Sequence, residues 1–382
     1  MHIETKLPRV GTTIFSVMSQ LALEHEAINL GQGFPDFEPP DFLCQALARA
    51  VGDGHNQYAP SPGIPALRQQ IARKTRELYG HEPHVDHEIT VTSGATEAIF
   101  AAVAAVVRRG DEVIVLDPCY DCYEPAINLQ GAQAVHVPLT LPDFAVDWQR
   151  LRDAIAPNTR MIITNSPHNP SGAVFSAADL DALADIVRDT DIIVLSDEVY
   201  EHIVFDGAEH QSVLRHAELA ARSFVISSFG KTYHCTGWKI GYAIAPRTLS
   251  TELRKVHQYL TFCSFAPAQF ALAEMLDKHP EHYQELADFY QAKRDRFREL
   301  LADSKFKLLG VPGGYFQLVD YSAIRDIDDI NFSEWLVKEG GVAAIPLAPF
   351  YESPPADAHL LRLCFAKSDE TMQAAAERLC KL

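Results

Sequence analysis

Short runs of β-branched and aliphatic residues recur along the chain, and each one stops at a polar cluster. Ile89-Thr90-Val91-Thr92 leads into Ser93-Gly94-Ala95-Thr96, and Val113-Ile114-Val115-Leu116 into Asp117-Pro118. Met161-Ile162-Ile163-Thr164 ends at Asn165-Ser166-Pro167, Ile192-Ile193-Val194-Leu195 at Ser196-Asp197-Glu198, and Phe224-Val225-Ile226-Ser227 at Ser228-Phe229-Gly230-Lys231. Helical stretches such as Glu97 to Arg108 and Ala177 to Arg188 alternate with these runs. Short runs without an exposed polar face predict strands buried on both sides of a mostly parallel sheet, hence an α/β fold. Ligands of such a sheet sit beyond the carboxyl ends of the strands. All five polar clusters fall there, so they are expected to converge on one site.

The rest of the chain predicts a second, smaller α+β unit. Glu281 to Ser304 has the charge pattern of a long helix, Gly313 to Val319 reads as a strand, and Phe332 to Lys338 as an amphipathic stretch. Leu360 to Phe365 alternates like a strand, and Glu370 to Leu379 reads as a closing helix. Near the N-terminus, Leu30-Gly31-Gln32-Gly33-Phe34-Pro35-Asp36 is a turn-rich loop that suits close approach of backbone to a ligand.

Charge narrows the partners. With 33 basic and 51 acidic side chains the formal charge is −18, which argues against nucleic acid and anionic membrane. No signal-peptide core follows Met1, and the apolar run Ala98 to Val107 is too short to cross a bilayer. Seven cysteines without a framework fit reduced thiols, so a cytoplasmic protein is expected.

Some fragments resemble motifs that they do not complete. Gly230-Lys231-Thr232 looks like the end of a P-loop, but Val225 stands where its first glycine belongs. Asp36 breaks the dinucleotide pattern begun by Gly31-Gln32-Gly33. Cys119 and Cys122 form one CxxC without a second pair, and His81, His84 and His87 flank Pro83, so neither set predicts a metal site.

Ser227-Ser228-Phe229-Gly230-Lys231-Thr232-Tyr233 followed by Thr236-Gly237-Trp238-Lys239-Ile240-Gly241 resembles the cofactor-lysine signature of class I aminotransferases. Asn165 to Gly172, Ser196 to Tyr200, Asn29 to Asp36 and Asn56-Gln57-Tyr58 resemble further blocks of that family in the family's order. The resemblance spans essentially the whole chain and is nearest the branch of bacterial methionine aminotransferase and the glutamine/kynurenine transaminases. It implies a fold-type I transferase that depends on pyridoxal 5′-phosphate, with pyridoxamine 5′-phosphate as its intermediate form. The expected layout is an arm and part of the small domain over 1–40, a large cofactor domain over 41–278, and a small domain over 279–382.

Residue by residue, the resemblance implies these roles. Lys231 forms the Schiff base and then shuttles the Cα proton, while Asp197 keeps the pyridine nitrogen protonated. Asn169 and Tyr200 hydrogen-bond the phenolic oxygen, and Tyr120 stacks on the ring. Gly94, Ala95 and Thr96, at a strand-to-helix turn, hold the phosphate together with Ser228 and Lys239. Many relatives carry arginine at the last of these positions; lysine supplies a point charge instead of a fork. Tyr58 reaches the phosphate of a neighbouring subunit, which implies a homodimer with shared active sites. Arg362 clamps the substrate α-carboxylate, helped by the backbone of Gly33 and by Asn169.

Ile14-Phe15 is apolar where dicarboxylate specialists place a second arginine. Phe15, Phe34 and Phe262, the last from the other subunit, are candidates for a neutral pocket that takes methionine, glutamine or an aromatic amino acid. Methionine is the first choice on resemblance, with a 2-oxo acid as acceptor in a ping-pong reaction. A cysteine-conjugate β-lyase on the same scaffold is the nearest alternative, since it shares the chemistry as far as the carbanion; kynurenine or glutamine transamination stands beside it. A non-catalytic cofactor-sensing module would need a DNA-binding segment, which the acidic balance does not supply.

Overall fold

The computed structural model describes residues 3–355 and 357–382. Among the described residues, thirteen strands form three sheets. The central sheet contains β2 (Ile89–Thr92), β3 (Glu112–Asp117), β4 (Gln133–Pro138), β5 (Thr159–Asn165), β6 (Ile193–Asp197), β7 (Ser223–Ser228) and β8 (Gly241–Ile244), in the order β2-β8-β7-β6-β5-β3-β4. Only β8 runs against its neighbours. The five expected strands therefore point the same way and release the chain along one edge.

Burial on both faces explains the unbroken apolar runs. Met161, Ile163, Ile193 and Leu195 face a core shared with Ala98, Ala101 and Ala102, whose small side chains let the helix Ala95–Val106 lie close to the sheet. Ile162 and Val194 point the other way, into a core shared with Leu67 and Ile71 of the helix Pro65–Tyr79, Leu180 of Ala177–Val187, and Leu272 of Ala266–Lys278.

A separate core gathers Leu30, Tyr290, Phe297, Phe332, Leu361, Leu363 and Leu379. It backs an antiparallel sheet ordered β12-β13-β10-β9, built from β9 (Lys307–Leu308), β10 (Phe316–Asp320), β12 (Ile345–Pro346) and β13 (Leu360–Cys364). The N-terminal segment joins this unit. β1 (Ile28–Asn29) pairs in parallel with β11 (Val342–Ala343), and the Leu30 carbonyl accepts from the Cys364 amide at 2.8 Å. Met18 and Ala22 of the helix Ile14–Glu24 pack on Val337, Ala343 and Ile345. Residues far apart in sequence, Phe15, the Gly31–Gly33 turn and Arg362, thereby become neighbours.

Several elements differ from the sequence expectation. The segment after Pro280 is two helices, Glu281–Gln284 and Leu286–Leu300, broken at Glu285, not one helix to Ser304. The helix after β2 starts at Ala95, two residues earlier than expected, because Gly94 turns the chain with φ +79°. The predicted strand from Gly313 begins only at Phe316; Gly313 instead lies tight against the Ile203 carbonyl and Val174. Phe332 to Lys338 straddles an α-helix, Asp329–Trp335, and a π-helical turn, Leu336–Gly340. The sequence pattern does not predict β4 or β8: β4 is a half-exposed edge strand, and β8 has four residues and starts on the last residue of the Lys231 signature.

Below the sheet edge, Glu201 is buried and accepts from Lys74 Nζ at 2.7 Å, Tyr242 OH at 2.9 Å, and the hydroxyls of Tyr79 and Ser227. Burial alone would raise its pKa, but Lys74, His202 and the Ser227 hydroxyl outweigh burial and hold it well below the usual carboxylate range. A depressed carboxylate stabilises the fold above its unfolded pKa and loses that contribution as pH falls. Lys74→Met is therefore expected to cost about 3 kcal/mol at pH 7, read as a lower urea midpoint, because it strands a buried charge. The gap from the parent protein should narrow as pH falls below about 4.

Candidate active site

The strand ends enclose a cavity of about 300 Å³ lined by Phe15, Gly33, Phe34, Gly94, Ala95, Thr96, Tyr120, Asn169, Asp197, Tyr200, Ser228, Lys231, Lys239 and Arg362. Of the residues expected at the site, Tyr58 and Phe262 lie outside it. Tyr58 is 83% exposed and packs edge-on against Phe262, ring centroids 5.1 Å apart, on the surface of this chain.

Lys231 sits on the single-turn helix Phe229–Thr232 that β7 feeds into the cavity. Its Nζ donates to the Gly33 carbonyl at 3.0 Å and to Tyr315 OH at 2.9 Å. Burial pulls its pKa down to about 8, Arg362 and Lys239 push the same way, and Cys364 and Asp197 oppose them. The amine is thus far closer to its nucleophilic neutral form at physiological pH than a solvated lysine.

Asp197 closes β6. Its Oδ2 accepts from Tyr123 OH at 2.6 Å, and its Oδ1 from the Val199 amide at 3.3 Å. Burial lifts its pKa to about 6 against the pull of those two donors. Asn165 at the end of β5 donates from Nδ2 to the Asp197 carbonyl at 2.9 Å, and its Oδ1 accepts from the Asn169 amide at 2.8 Å. One side chain thereby sets the relative position of two functional residues.

At one end of the cavity lies an anion cradle. The N-terminus of Ala95–Val106 has no side-chain cap, so its amides and its dipole face the cavity. A Cβ built on Gly94 would lie 3.3 Å from Lys239 Nζ, so the missing side chain is what allows the lysine amine to sit over the helix start. Ser228 and Thr236 line the same cavity.

At the other end, Arg362 is 1% exposed. Its neighbours Leu361 and Leu363 enter the C-terminal core, so strand alternation turns the guanidinium toward the cavity. The two terminal nitrogens donate to Asn169 Oδ1 and the Gly31 carbonyl, each at 2.8 Å, while Nε is buried without a partner. The Phe316 ring centroid lies 4.0 Å from Cζ and that of Phe15 5.1 Å away. A buried guanidinium with a free N–H, packed between aromatic faces, is built to receive an anion.

Tyr123, Asn165, Tyr315 and Phe316 belong to the site but were not singled out in the sequence. Asn165 had a signal, as the first residue of its block, and Tyr123 lies three residues after Tyr120. Tyr315 and Phe316 had none, because their partners Lys231, Gly33 and Arg362 are distant in sequence. Elsewhere, the buried Cys119 lies near Asp117 and His136, but Asp117 is already paired with His136 Nδ1 at 2.7 Å and caps the Glu352 amide at 2.9 Å.

Comparison with known proteins gives the family. The family model described as aminotransferase class I and II matches residues 25–379. The chain is 54% identical over 379 residues to the methionine aminotransferase of Escherichia coli (strain K12), covering 99% of this chain and 98% of that protein. It is 42% identical over 389 residues to a probable N-succinyldiaminopimelate aminotransferase of Mycobacterium tuberculosis, covering 99% and 98%. The crystal structure of YbdL from Escherichia coli, reported with a methionine aminotransferase function, matches with a TM-score of 0.98 at 53% identity and full coverage of both chains.

In protein free of any cofactor, an amine-acylating reagent should modify Lys231 with a midpoint near pH 8, against about 10.4 for solvated lysines. Arg362→Leu removes a cation that pulls the amine down, so the midpoint should move upward. Peptide mass spectrometry across a pH series reads both; an ordinary lysine midpoint in the parent protein would contradict the buried arrangement.

Proposed function

The chain belongs to the class I and II aminotransferases, and on that premise we propose that it holds pyridoxal 5′-phosphate through Lys231 and transfers the α-amino group of a neutral L-amino acid, methionine first, to a 2-oxo acid. The observation that carries the substrate class is the count of cations. Lys231, Lys239 and Arg362 are the cationic side chains lining the cavity among the described residues. The reacting amine, the phosphate and the α-carboxylate use all three, so a side-chain carboxylate would find no partner on this chain. Phe15, Phe34 and Phe316 offer apolar surface instead.

The cofactor, when bound, supplies a protonated pyridine ring that accepts the electron pair left at the substrate Cα. The residues present fit such a group: an anion cradle at Gly94, an amine on a short helix, a buried acid, and an arginine with a free Nε. Gly94, Ala95, Thr96, Ser228 and Lys239 would hold the phosphate, and Tyr120 would offer its ring to the cofactor's. Asp197 favours the protonated ring nitrogen, since a buried carboxylate is stabilised by a cation beside it. Asn169 and Tyr200 would donate to the phenolic oxygen. Arg362 and Gly33 orient the α-carboxylate so that the Cα–H bond faces Lys231 Nζ, which takes up the proton and later gives it back.

The active unit in this reading is a homodimer. Tyr58, Tyr259 and Phe265 are 83%, 90% and 52% exposed, and Phe262 joins them at 40%, an aromatic surface that suits a second copy. Tyr58 and Phe262 would then complete the partner's site. The domains would divide as 1–40 with 279–382 against 41–278, with the cavity between them.

Adding L-methionine to cofactor-loaded protein without a keto acid should abolish the visible absorbance band, with stoichiometric keto acid and no ammonia. A band that methionine leaves unchanged would remove methionine as substrate, and ammonia released without an acceptor would favour β-lysis. Protein that takes up no pyridoxal phosphate would overturn the reading. Arg362→Leu should lower kcat/KM for methionine about 100-fold, the effect of losing charge-assisted bonds to a carboxylate, while the absorbance of the loaded protein stays intact.

A further inference from the structure

Tyr315 touches the reacting amine, yet the roles assigned above leave it without one. It lies directly before β10, is fully buried, and its hydroxyl is 2.9 Å from Lys231 Nζ. The same hydroxyl donates to the Gly33 carbonyl at 2.6 Å, and that carbonyl accepts from Lys231 Nζ at 3.0 Å. Because the phenol proton is committed to the carbonyl, the phenol oxygen presents lone pairs to the amine. Burial, with Tyr200 and Cys364 close by, keeps the phenol pKa well above its ordinary value, so the group stays neutral. Its ring is fixed by Tyr290, Tyr200 and Phe316, with centroids 5.6, 5.0 and 4.9 Å away.

We propose that Tyr315 is a catalytic residue: with the Gly33 carbonyl it forms a two-acceptor seat that holds the Lys231 amine once substrate has displaced it and stabilises the ammonium formed when that amine takes the Cα proton. The proton count closes. The Cα–H bond breaks, its electron pair stays at carbon, and its proton forms the third N–H bond on Nζ. Two of the three N–H bonds then point at Tyr315 and Gly33. The third, the one just formed, faces the substrate and is the one released afterward. Tyr315 neither gains nor loses a proton; it sets the direction and basicity of the amine.

The inference rests on Lys231 being the cofactor lysine, so its test includes a readout that does not need the cofactor. Tyr315→Phe keeps the ring and removes the acceptor. In protein free of cofactor, the acylation midpoint of Lys231 should fall by roughly one pH unit, since the ammonium loses a hydrogen-bond partner. In loaded protein, a single turnover with L-methionine should slow about tenfold. Deuterium at Cα should slow the variant more than the parent, while the apparent affinity for methionine and the absorbance stay within a factor of about two.

Tyr290→Phe is the control. It removes a hydroxyl bonded to His234 Nδ1 at 3.0 Å and leaves the ring against Tyr315, so it should change neither readout. An unchanged midpoint and isotope effect in Tyr315→Phe would overturn the proposal. So would a parallel loss of loading and affinity, or an equal response in Tyr290→Phe, since either would make Tyr315 a packing residue. Failure of the parent protein to bind the cofactor would instead fault the functional reading, and the acylation midpoint would still decide whether Tyr315 controls the Lys231 amine.

Discussion

Lys231, Asp197 and Arg362 are withdrawn from bulk water at one cavity, and the cost of burying charge there governs how the surrounding structure is arranged. Each group is met by dipoles fixed in place before any ligand arrives. Lys231 has the Gly33 carbonyl and Tyr315 hydroxyl, Asp197 has Tyr123 and the Val199 amide, and Arg362 has Asn169 and the Gly31 carbonyl. None is fully compensated. The remaining imbalance shows as a lysine drawn down to about 8, an aspartate raised to about 6 and an arginine nitrogen without a partner. An anion beside Arg362 and a cation beside Asp197 would relieve that imbalance, so binding energy would be directed at those groups.

Supplying those dipoles requires two cores to meet. The central sheet delivers Asp197, Asn165, Ser228 and Lys231 from parallel strand ends, where the chain must leave the sheet in any case. Arg362 and Phe316 come from the antiparallel sheet of the C-terminal unit, with Tyr315 directly before β10, and Phe15 and Gly33 come from an N-terminal segment stitched to that unit through β1 and β11. Behind the strand ends, Glu201 gathers a buried ammonium and three hydroxyls from the helix Pro65–Tyr79, β7 and β8. That cluster backs the Asp197–Tyr200 turn against movement, so rigid placement of the acid rests on a second buried charge one residue beyond Tyr200.

Much of this was legible in the chain. The parallel sheet followed from runs such as Met161–Thr164, which lack a polar face because both faces are covered. The polar clusters ending those runs had to gather along one edge, and the motif blocks around Lys231, Asp197 and Asn169 carried the family with them. Less legible were elements whose signal is weak for a physical reason. β4 is half-exposed at the sheet edge and β8 is four residues long. The break at Glu285 has no glycine or proline at its position. Tyr315 carried no mark either, since a tyrosine in an apolar strand looks the same whether its hydroxyl meets water or an amine.

By itself the sequence determined the fold class, the family and the side chains expected at the strand ends, because hydrophobic period and strand-end chemistry are local properties. Only the tertiary structure decided how those groups are electrically tuned and which neighbours hold them. The pKa of Lys231 depends on how deeply it is buried and on Arg362, 131 residues away along the chain. Its hydrogen bonds run to Gly33 and Tyr315, and Lys239 can sit over the helix start only because Gly94 carries no side chain. Burial and electrostatic coupling depend on distance in space, and distance in space is set only when the two cores close on one another.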